Sequence, residues 1–379
     1  MSLLRYVQVD LKNIANNIKS FRKLLGKEVA IMVVVKSNAY GHGILEVSKT
    51  VLKSGANYLA VVNMEEALFL RQNGIKANIL VLGFVAEEML AEVINHDITI
   101  GLYNYEMAKK ASAEALKQKK DIKIHLKIDT GLNRLGVLPD QALMTIEKMC
   151  KLKGLNIEGM FTHFSDAENP ASWQTEDQIG KFNKIISNLK KKKIKMDYYH
   201  AGASAASILI PKTRLNMVRI GIATYGMWPS LETMEAASVL KNLKGFRLKS
   251  AFAYKTILVE KKKIKAGSLV GYGGNYRLRK DSYIGVIPVG YAEGYDRKLS
   301  NNSEVLIGGK KVKVLGNICM NMTIIDLNNC SKAKIGDEVV LIGKQGSAEI
   351  TAKDLAQHIG TINYEVTTRI PSDIPRKYI

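Results

Sequence analysis

The chain has 379 residues, 46% of them hydrophobic, and carries 56 Lys and Arg against 35 Asp and Glu, a formal charge of +21. That length exceeds one ordinary core and predicts two domains, one of them large. No apolar run is long enough to cross a bilayer, and the opening MSLLRYVQVDLK lacks the apolar stretch of a signal peptide. Cys150, Cys319 and Cys330 are scattered, with neither a disulfide framework nor a zinc spacing, so a cytoplasmic protein without a metal is expected. The lysine excess sits in short runs such as KQKK, LKKKKIK and EKKKIK, without aromatic interleaving. Such runs read as solvated faces, and no nucleic-acid or membrane partner is expected; the net charge attracts small anions over long range.

Val7–Leu11 reads as a short strand and Lys12–Leu25 as a helix, with apolar residues at Ile14, Ile18, Phe21 and Leu25. Apolar runs then recur at Val29–Val35, Tyr58–Val62, Asn78–Leu82, Ile98–Gly101, Ile122–Ile128, Ile157–Phe161, Tyr198–His200 and Met217–Ile220. Helical stretches lie between most of them: Met64–Gln72, Ala86–Asn95, Tyr105–Gln118, Gln141–Lys151 and Gln178–Lys193. Alternation of this kind predicts βαβ units around a parallel sheet, and its regularity fits a (β/α)8 barrel better than an open sheet. After Ser230 the texture turns to short strands: Ser250–Val259, Tyr283–Val289, Glu304–Ile307, Lys311–Leu315, Met322–Leu327 and Glu338–Ile342. Gly308–Gly309 marks a hairpin, and helical periodicity returns at Ala352–His358. The chain thus divides into a barrel over 1–235 and a mostly-β domain over 236–379, with residues 1–11 a candidate strand of the second domain.

Barrel enzymes keep their chemistry at the C-terminal ends of the strands. In VVVKSNAYGHG, Lys36 ends the first barrel strand, followed by Asn38, Tyr40, His42 and two glycines. A lysine desolvated there has a lowered pKa and is a usable amine for covalent carbonyl chemistry. Lys127 and Asp129 end the fifth strand, with Gly131 and Arg134 just beyond; Thr162 and His163 end the sixth, His200 the seventh and Arg219 the eighth. Each alone has an ordinary explanation, a snorkelling lysine or a satisfied core histidine; together they point to a site. HAGASAAS, with the Ser204 hydroxyl, and RIGIATYG, with Gly221 and the amides after it, suit a phosphate. A strand-end lysine beside such a cradle is what a pyridoxal-phosphate enzyme needs.

VVVKSNAYGHG, HLKIDTGLNRLG, THFSDA, LNMVRIGIATYG, GYGGNY, PVGYAEG, GNICMNMT and TINYEV, in this order, resemble segments of the alanine racemase family across nearly the whole chain. The resemblance implies pyridoxal 5′-phosphate on a fold-type III scaffold, and a homodimer whose sites are completed by the partner's second domain. It implies that Lys36 carries the cofactor, that Tyr40, Ser204, Gly221, Ile222 and Tyr364 hold its phosphate, and that Arg219 faces its ring nitrogen. His163 would pack by the ring, and Tyr272 of the opposite subunit would be the second base. Arg134 would hold the substrate carboxylate with Met320 nearby, and Lys127 matches a position often carbamylated in the family. Two bases on opposite faces of Cα would then exchange its proton, Lys36 serving the D-isomer and Tyr272 the L-isomer. The implied activity is interconversion of L- and D-alanine for peptidoglycan synthesis.

Three positions depart from the family pattern: Ala203 where Asn is usual, Gly271 where Ser is usual, and Asn321 where Asp is usual. They bear on the substrate's surroundings, so racemases of serine, of basic amino acids or of broad range are alternatives. A fold-type III decarboxylase ranks below these, and so does a non-catalytic cofactor carrier, which has no use for GYGGNY.

Overall fold

The computed structural model describes residues 3–169 and 171–379. It forms two compact units: a barrel unit of Asn13–Ala39 and Ile44–Lys249, and a sheet unit of the chain up to Lys12, Tyr40–Gly43 and Ser250–Ile379.

The N-terminal strand Arg5–Val9 (β1) belongs to the sheet unit. In the barrel unit, Ala30–Val34 (β2), Tyr58–Val61 (β3), Asn78–Val81 (β4), Thr99–Leu102 (β5), Ile122–Lys127 (β6), Leu155–Phe161 (β7), Tyr198–His200 (β8) and Met217–Ile220 (β9) close into a parallel barrel. The closing pair, β2 with β9, sets Met32 opposite Arg219. These strands are buried along most of their length, as their continuous apolar runs require when one face fills the barrel and the other meets helices. The expected (β/α)8 architecture is therefore the observed one.

Helix starts follow side-chain caps: Asn63 caps Met64–Gln72, Asn104 caps Tyr105–Gln118, and Ser172 caps Trp173–Lys191. The last begins before the expected Gln178 because Ser172 accepts the Thr175 N–H. The expected helix Ala86–Asn95 is a 3-10 turn, Glu87–Met89, followed by a short helix, Leu90–Asn95. Residues 236–249 fall in the barrel unit. Phe246 meets Phe21 edge-on at 5.2 Å, and buried Asn17 donates to the Lys249 carbonyl at 2.9 Å while accepting from its N–H at 2.8 Å.

In the sheet unit, Phe252–Ile257 (β10) pairs antiparallel with β1, which pairs parallel with the C-terminal strand. The remaining strands are Glu260–Ile264 (β11), Leu269–Val270 (β12), Tyr276–Arg277 (β13), Ser282–Ile287 (β14), Glu304–Ile307 (β15), Lys310–Leu315 (β16), Thr323–Asp326 (β17), Glu338–Gln345 (β18), Ala348–Ile350 (β19) and Arg376–Tyr378 (β20). One sheet runs β11-β14-β17-β16-β15-β18-β10-β1-β20, with β19 on β18 and β12-β13 apart. The EKKKI stretch, expected as a solvated run, is the edge strand β11. Its Lys261 and Lys263 lie over the Tyr283 ring at 5.2 and 5.9 Å, a lysine-rich way of blunting an edge. Gly308 and Gly309 join β15 to β16 with φ of 59° and 76°, the two-residue hairpin turn the glycine pair predicts.

Candidate active site

Lys36 stands two residues past β2, after Val35, whose N–H still donates to the Ala60 carbonyl at 2.8 Å. The four residues after it, Ser37, Asn38, Ala39 and Tyr40, all have φ between 53° and 54°, a complete left-handed turn without glycine. Such a turn costs on the order of 1–2 kcal/mol per residue, so it persists only where its surroundings hold it. Glu66 supplies the hold. Its carboxylate accepts the Asn38 N–H at 3.1 Å and the Val62 N–H at 3.2 Å, and the Asn38 side chain accepts the Ile44 N–H at 2.9 Å. Burial, with Arg134 nearby, lowers the Lys36 pKa, and Glu66 offsets part of that shift.

Lys36, Lys127, His163 and Arg219, with Arg134, act on one another at the C-terminal mouth of the barrel. Burial first, then Arg134 and Arg219, brings Lys127 down to about 8. The loop bearing Arg134 is shaped by Asp129, whose carboxylate accepts the N–H groups of Gly131 at 3.0 Å, Asn133 at 3.0 Å and Arg134 at 2.8 Å. Burial alone would raise the Asp129 pKa; those backbone donors outweigh it and hold the group ionised. A Cβ at Gly136 would stand 2.4 Å from the Asp129 nitrogen, so the loop closes only with glycine there.

Arg219 is buried, and burial lowers its pKa to about 9. Nη1 donates to His200 Nδ1 at 2.8 Å and to the His200 carbonyl at 3.1 Å. Nη2 donates to the carbonyls of Thr162 at 2.7 Å and Ala201 at 2.9 Å, and to His163 Nδ1 at 3.2 Å. The Nε–H alone has no acceptor among the described residues. Since arginine only donates, His163 must accept at Nδ1 and carry its proton on Nε2. Burial and the neighbouring Arg219 push the His163 pKa down to about 3, so it is neutral. The Phe161 ring backs this group, stacked on His200 at 4.9 Å with the Arg219 guanidinium 5.4 Å from its centroid.

The Ser204 hydroxyl accepts from the Gly221 N–H at 3.1 Å and, at 3.5 Å, from that of Ala223, so the two expected phosphate loops meet at Ser204, Gly221 and Ile222. Gly202, in the first of these loops, has no room for a side chain: a Cβ there would lie 2.9 Å from Ser207 Oγ.

The other expected residues lie in the sheet unit. Tyr40 is buried, and its ring centroid is 6.0 Å from that of Tyr364. Burial pushes the Tyr40 pKa up to about 12, keeping it a hydrogen-bond donor. Gly41 beside it leaves no room for a side chain, since a Cβ would fall 2.3 Å from the Thr367 carbonyl oxygen. Tyr272 follows Gly271 in a turn anchored by Asn317, which donates to the Tyr272 carbonyl at 2.8 Å; its side chain is exposed, as is that of Met320. Asn321 is tied to Glu293 at 2.7 Å.

Sequence reasoning passed over Glu66, Gln178, His125 and Glu158. Gln178 donates toward Thr130 and the His163 carbonyl and accepts from Ser165, tying together the loops after β6 and β7. His125 and Glu158 carried a readable signal, polar residues at buried positions of IKIHLK and LNIEGMF, but they are not at strand ends.

The donor set fits pyridoxal phosphate. A lysine of lowered pKa, a buried guanidinium with one N–H free for a ring nitrogen, a serine with two loop amides for a phosphate and an excess of cationic groups are what that molecule requires.

Comparison with known proteins places these residues in context. The family model for the alanine racemase N-terminal domain matches residues 9–229, and that for the alanine racemase C-terminal domain matches residues 251–378. The alanine racemase of Methanococcus maripaludis is 39% identical over 375 residues, 99% of this chain and 98% of that protein. Among solved structures, alanine racemase of Clostridium difficile superposes with a TM-score of 0.92 at 34% identity, covering 100% of this chain and 96% of that one. Alanine racemase from Bacillus anthracis with bound L-Ala-P gives a TM-score of 0.92 at 32% identity, again covering 100% and 96%.

Proposed function

The chain belongs to the alanine racemase family, and from that premise we propose that it is a pyridoxal-phosphate-dependent isomerase interconverting L- and D-alanine. The observation that carries the reading is the barrel mouth, where Lys36 shares a space with Arg219, Arg134 and Lys127, and where Asp129 and Glu66 are the negative groups that act on the two lysines among the described residues. Unneutralised cations at strand ends call for an anionic ligand. When bound, the cofactor supplies an electron sink for the pair left on Cα as its proton departs.

In this reading Lys36 holds the cofactor covalently, and Tyr40, Ser204, Gly221, Ile222 and Tyr364 hold its phosphate. Arg134, with Met320 near, receives the substrate carboxylate. Lys36 moves the proton on the D-side of Cα and Tyr272, contributed by the other subunit of a homodimer, moves it on the L-side. A tyrosine has an ordinary pKa near 10, so it needs a relay to act as a base; His163, neutral with its proton on Nε2, is placed against Arg219 for that task. Arg219 keeps its own proton far better than a pyridinium does. It would therefore donate a hydrogen bond to a ring nitrogen held there without protonating it, which would limit side reactions. Lys127, with a pKa of about 8, has enough free amine near neutrality to take up carbon dioxide as a carbamate, whose charge would steady Arg134. Provision of D-alanine for peptidoglycan in the cytoplasm is the role that follows. Three curated relatives at 36 to 39% identity over 98 to 99% of the chain are named alanine racemase, which favours alanine over the other amino acids and over the decarboxylase reading.

The test is a panel of amino acids incubated with the loaded enzyme in deuterated water. Alanine of either hand should racemise with deuterium entering Cα, and faster than serine, lysine or arginine. Loss of the carboxylate instead, or a preference for another amino acid, would contradict the proposal.

A further inference from the structure

From the mouth down into the barrel runs a set of polar side chains that the reaction does not call on. Tyr58 on β3, Thr99 on β5, His125 on β6, Glu158 on β7 and His200 on β8 are each 9% exposed or less. They form one continuous chain from Arg219. His200 Nε2 meets His125 Nδ1 at 2.8 Å, and His125 Nε2 meets Glu158 Oε2 at 3.0 Å. The same oxygen accepts from the Tyr58 hydroxyl at 2.8 Å, and Tyr58 meets Thr99 Oγ1 at 2.7 Å. Because β3 and β7 are not neighbours, these contacts cross the barrel's interior.

The chemistry allows this chain only one pattern of protons. Arginine cannot accept, so His200 accepts at Nδ1 and its proton sits on Nε2. That proton goes to His125 Nδ1, which leaves the His125 proton on Nε2, aimed at Glu158. Tyr58 spends its one proton on Glu158 and therefore accepts from Thr99. The donors from Arg219 to His125 all point away from the mouth, those of Thr99 and Tyr58 point back from the far side, and both runs end on the Glu158 carboxylate. Burial would raise the Glu158 pKa, but the bonds from His125 and Tyr58 outweigh it and keep the group ionised. Burial holds both imidazoles neutral, with Lys123 and Asp197 the other charged groups acting on this end of the chain.

We propose that Glu158 is a positioning residue for the racemase site: through His125 and His200 it fixes the tautomers that hold the Arg219 guanidinium in place. The proposal rests on the reading of Arg219 as the group facing the cofactor's ring nitrogen. Glu158 touches neither substrate nor cofactor in this account. Its charge polarises two neutral imidazoles so that His200 Nδ1 is a stronger acceptor for Nη1, which leaves Nε–H as the donor turned to the site. A glutamine in its place reverses part of the pattern: if its NH2 faces His125, both imidazoles must flip, and His200 then presents an N–H to an arginine that cannot accept it.

The experiment compares nitrogen-15-labelled enzyme, first stripped of cofactor and then loaded, with Glu158→Gln and Tyr58→Phe. In the stripped wild type both His125 and His200 should carry their proton on Nε2. Glu158→Gln should weaken the His125 N–H hydrogen bond, seen as an upfield proton shift. In the loaded enzyme it should raise abortive transamination per racemisation turnover by about tenfold, the scale of a bond to a charged group. Tyr58→Phe, which keeps the carboxylate, should stay within about twofold on that partition. Protonation of either histidine on Nδ1 in the stripped wild type overturns the proposal. So does a Glu158→Gln enzyme that only melts earlier, with N–H signals and partition unmoved, because a packing role predicts that alone. Failure of the wild type to take up pyridoxal phosphate would sink the cofactor reading instead, and the stripped-enzyme spectra separate the two failures.

Discussion

The mouth of the barrel and the interior beneath it are both dense in titratable side chains, and they are satisfied to different degrees. In the interior, Arg219, His200, His125, Tyr58 and Thr99 each find a partner, and the chain closes on one carboxylate. At the mouth, Arg134 lowers the proton affinity of Lys36, Lys127 and His163, and Arg219 keeps one N–H without an acceptor among the described residues. A fold gains nothing by itself from leaving cations together in partial burial, since desolvation and repulsion both act against it. What the contrast teaches is where the ligand belongs: the region whose charges are left over is the region that binds, and the satisfied region holds it in shape.

Breaking the proposed chemistry, at the mouth or at the base proposed to come from the other subunit, should have larger effects than breaking anything below the mouth. Tyr272→Phe removes a proposed base while keeping its ring, and should slow racemisation by about a thousandfold or more, within the range for a lost acid–base group. The effect should show most clearly as lost deuterium washout from L-alanine; washout near wild type would remove Tyr272 from the reaction. Arg219→Glu comes next. It replaces a group that cannot protonate the ring nitrogen with one that can, so racemisation should fall and side products should rise. Partitioning that stays as in the wild type would contradict the role given to Arg219.

A smaller effect sharpens the contrast through stability. Lys127 has a pKa of about 8 where it sits, below the ordinary lysine value of 10.5. Between those two values the unfolded chain binds the proton that the folded chain has lost, so stability rises with pH across that window. Below about pH 8 the folded protein bears the full penalty of a buried ammonium. In carbon-dioxide-free buffer, Lys127→Met should therefore be the more stable protein at neutral pH, by a few kcal/mol at most. Its advantage should shrink as pH approaches the ordinary lysine range. Bicarbonate should stabilise the wild type and not the variant if Lys127 takes a carbamate. Denaturant melts across pH, with and without bicarbonate, read both effects.

Much of this was legible in the sequence because barrels put chemistry at strand ends. The apolar runs ended at Lys36, Lys127, His200 and Arg219, close to where the strands end. What stayed hidden had other causes. Glu260–Ile264 is a strand whose lysines mask it, since an edge strand tolerates charge that a central one does not. The left-handed turn Ser37–Tyr40 cannot be read from Ser and Ala, which have no preference for positive φ; it exists because Glu66, distant in sequence, accepts one of its N–H groups. Glu158 and His125 sit mid-strand, and only the pairing of β6 with β7 brings them side by side.

The central claim is that the free amine at the end of β2 carries the cofactor. Purified enzyme, loaded with pyridoxal phosphate and reduced with borohydride, should lose its visible absorption band and yield one phosphopyridoxyl peptide, with the label on Lys36. A label on Lys127 or on surface lysines, or no absorption band to reduce, would contradict the account.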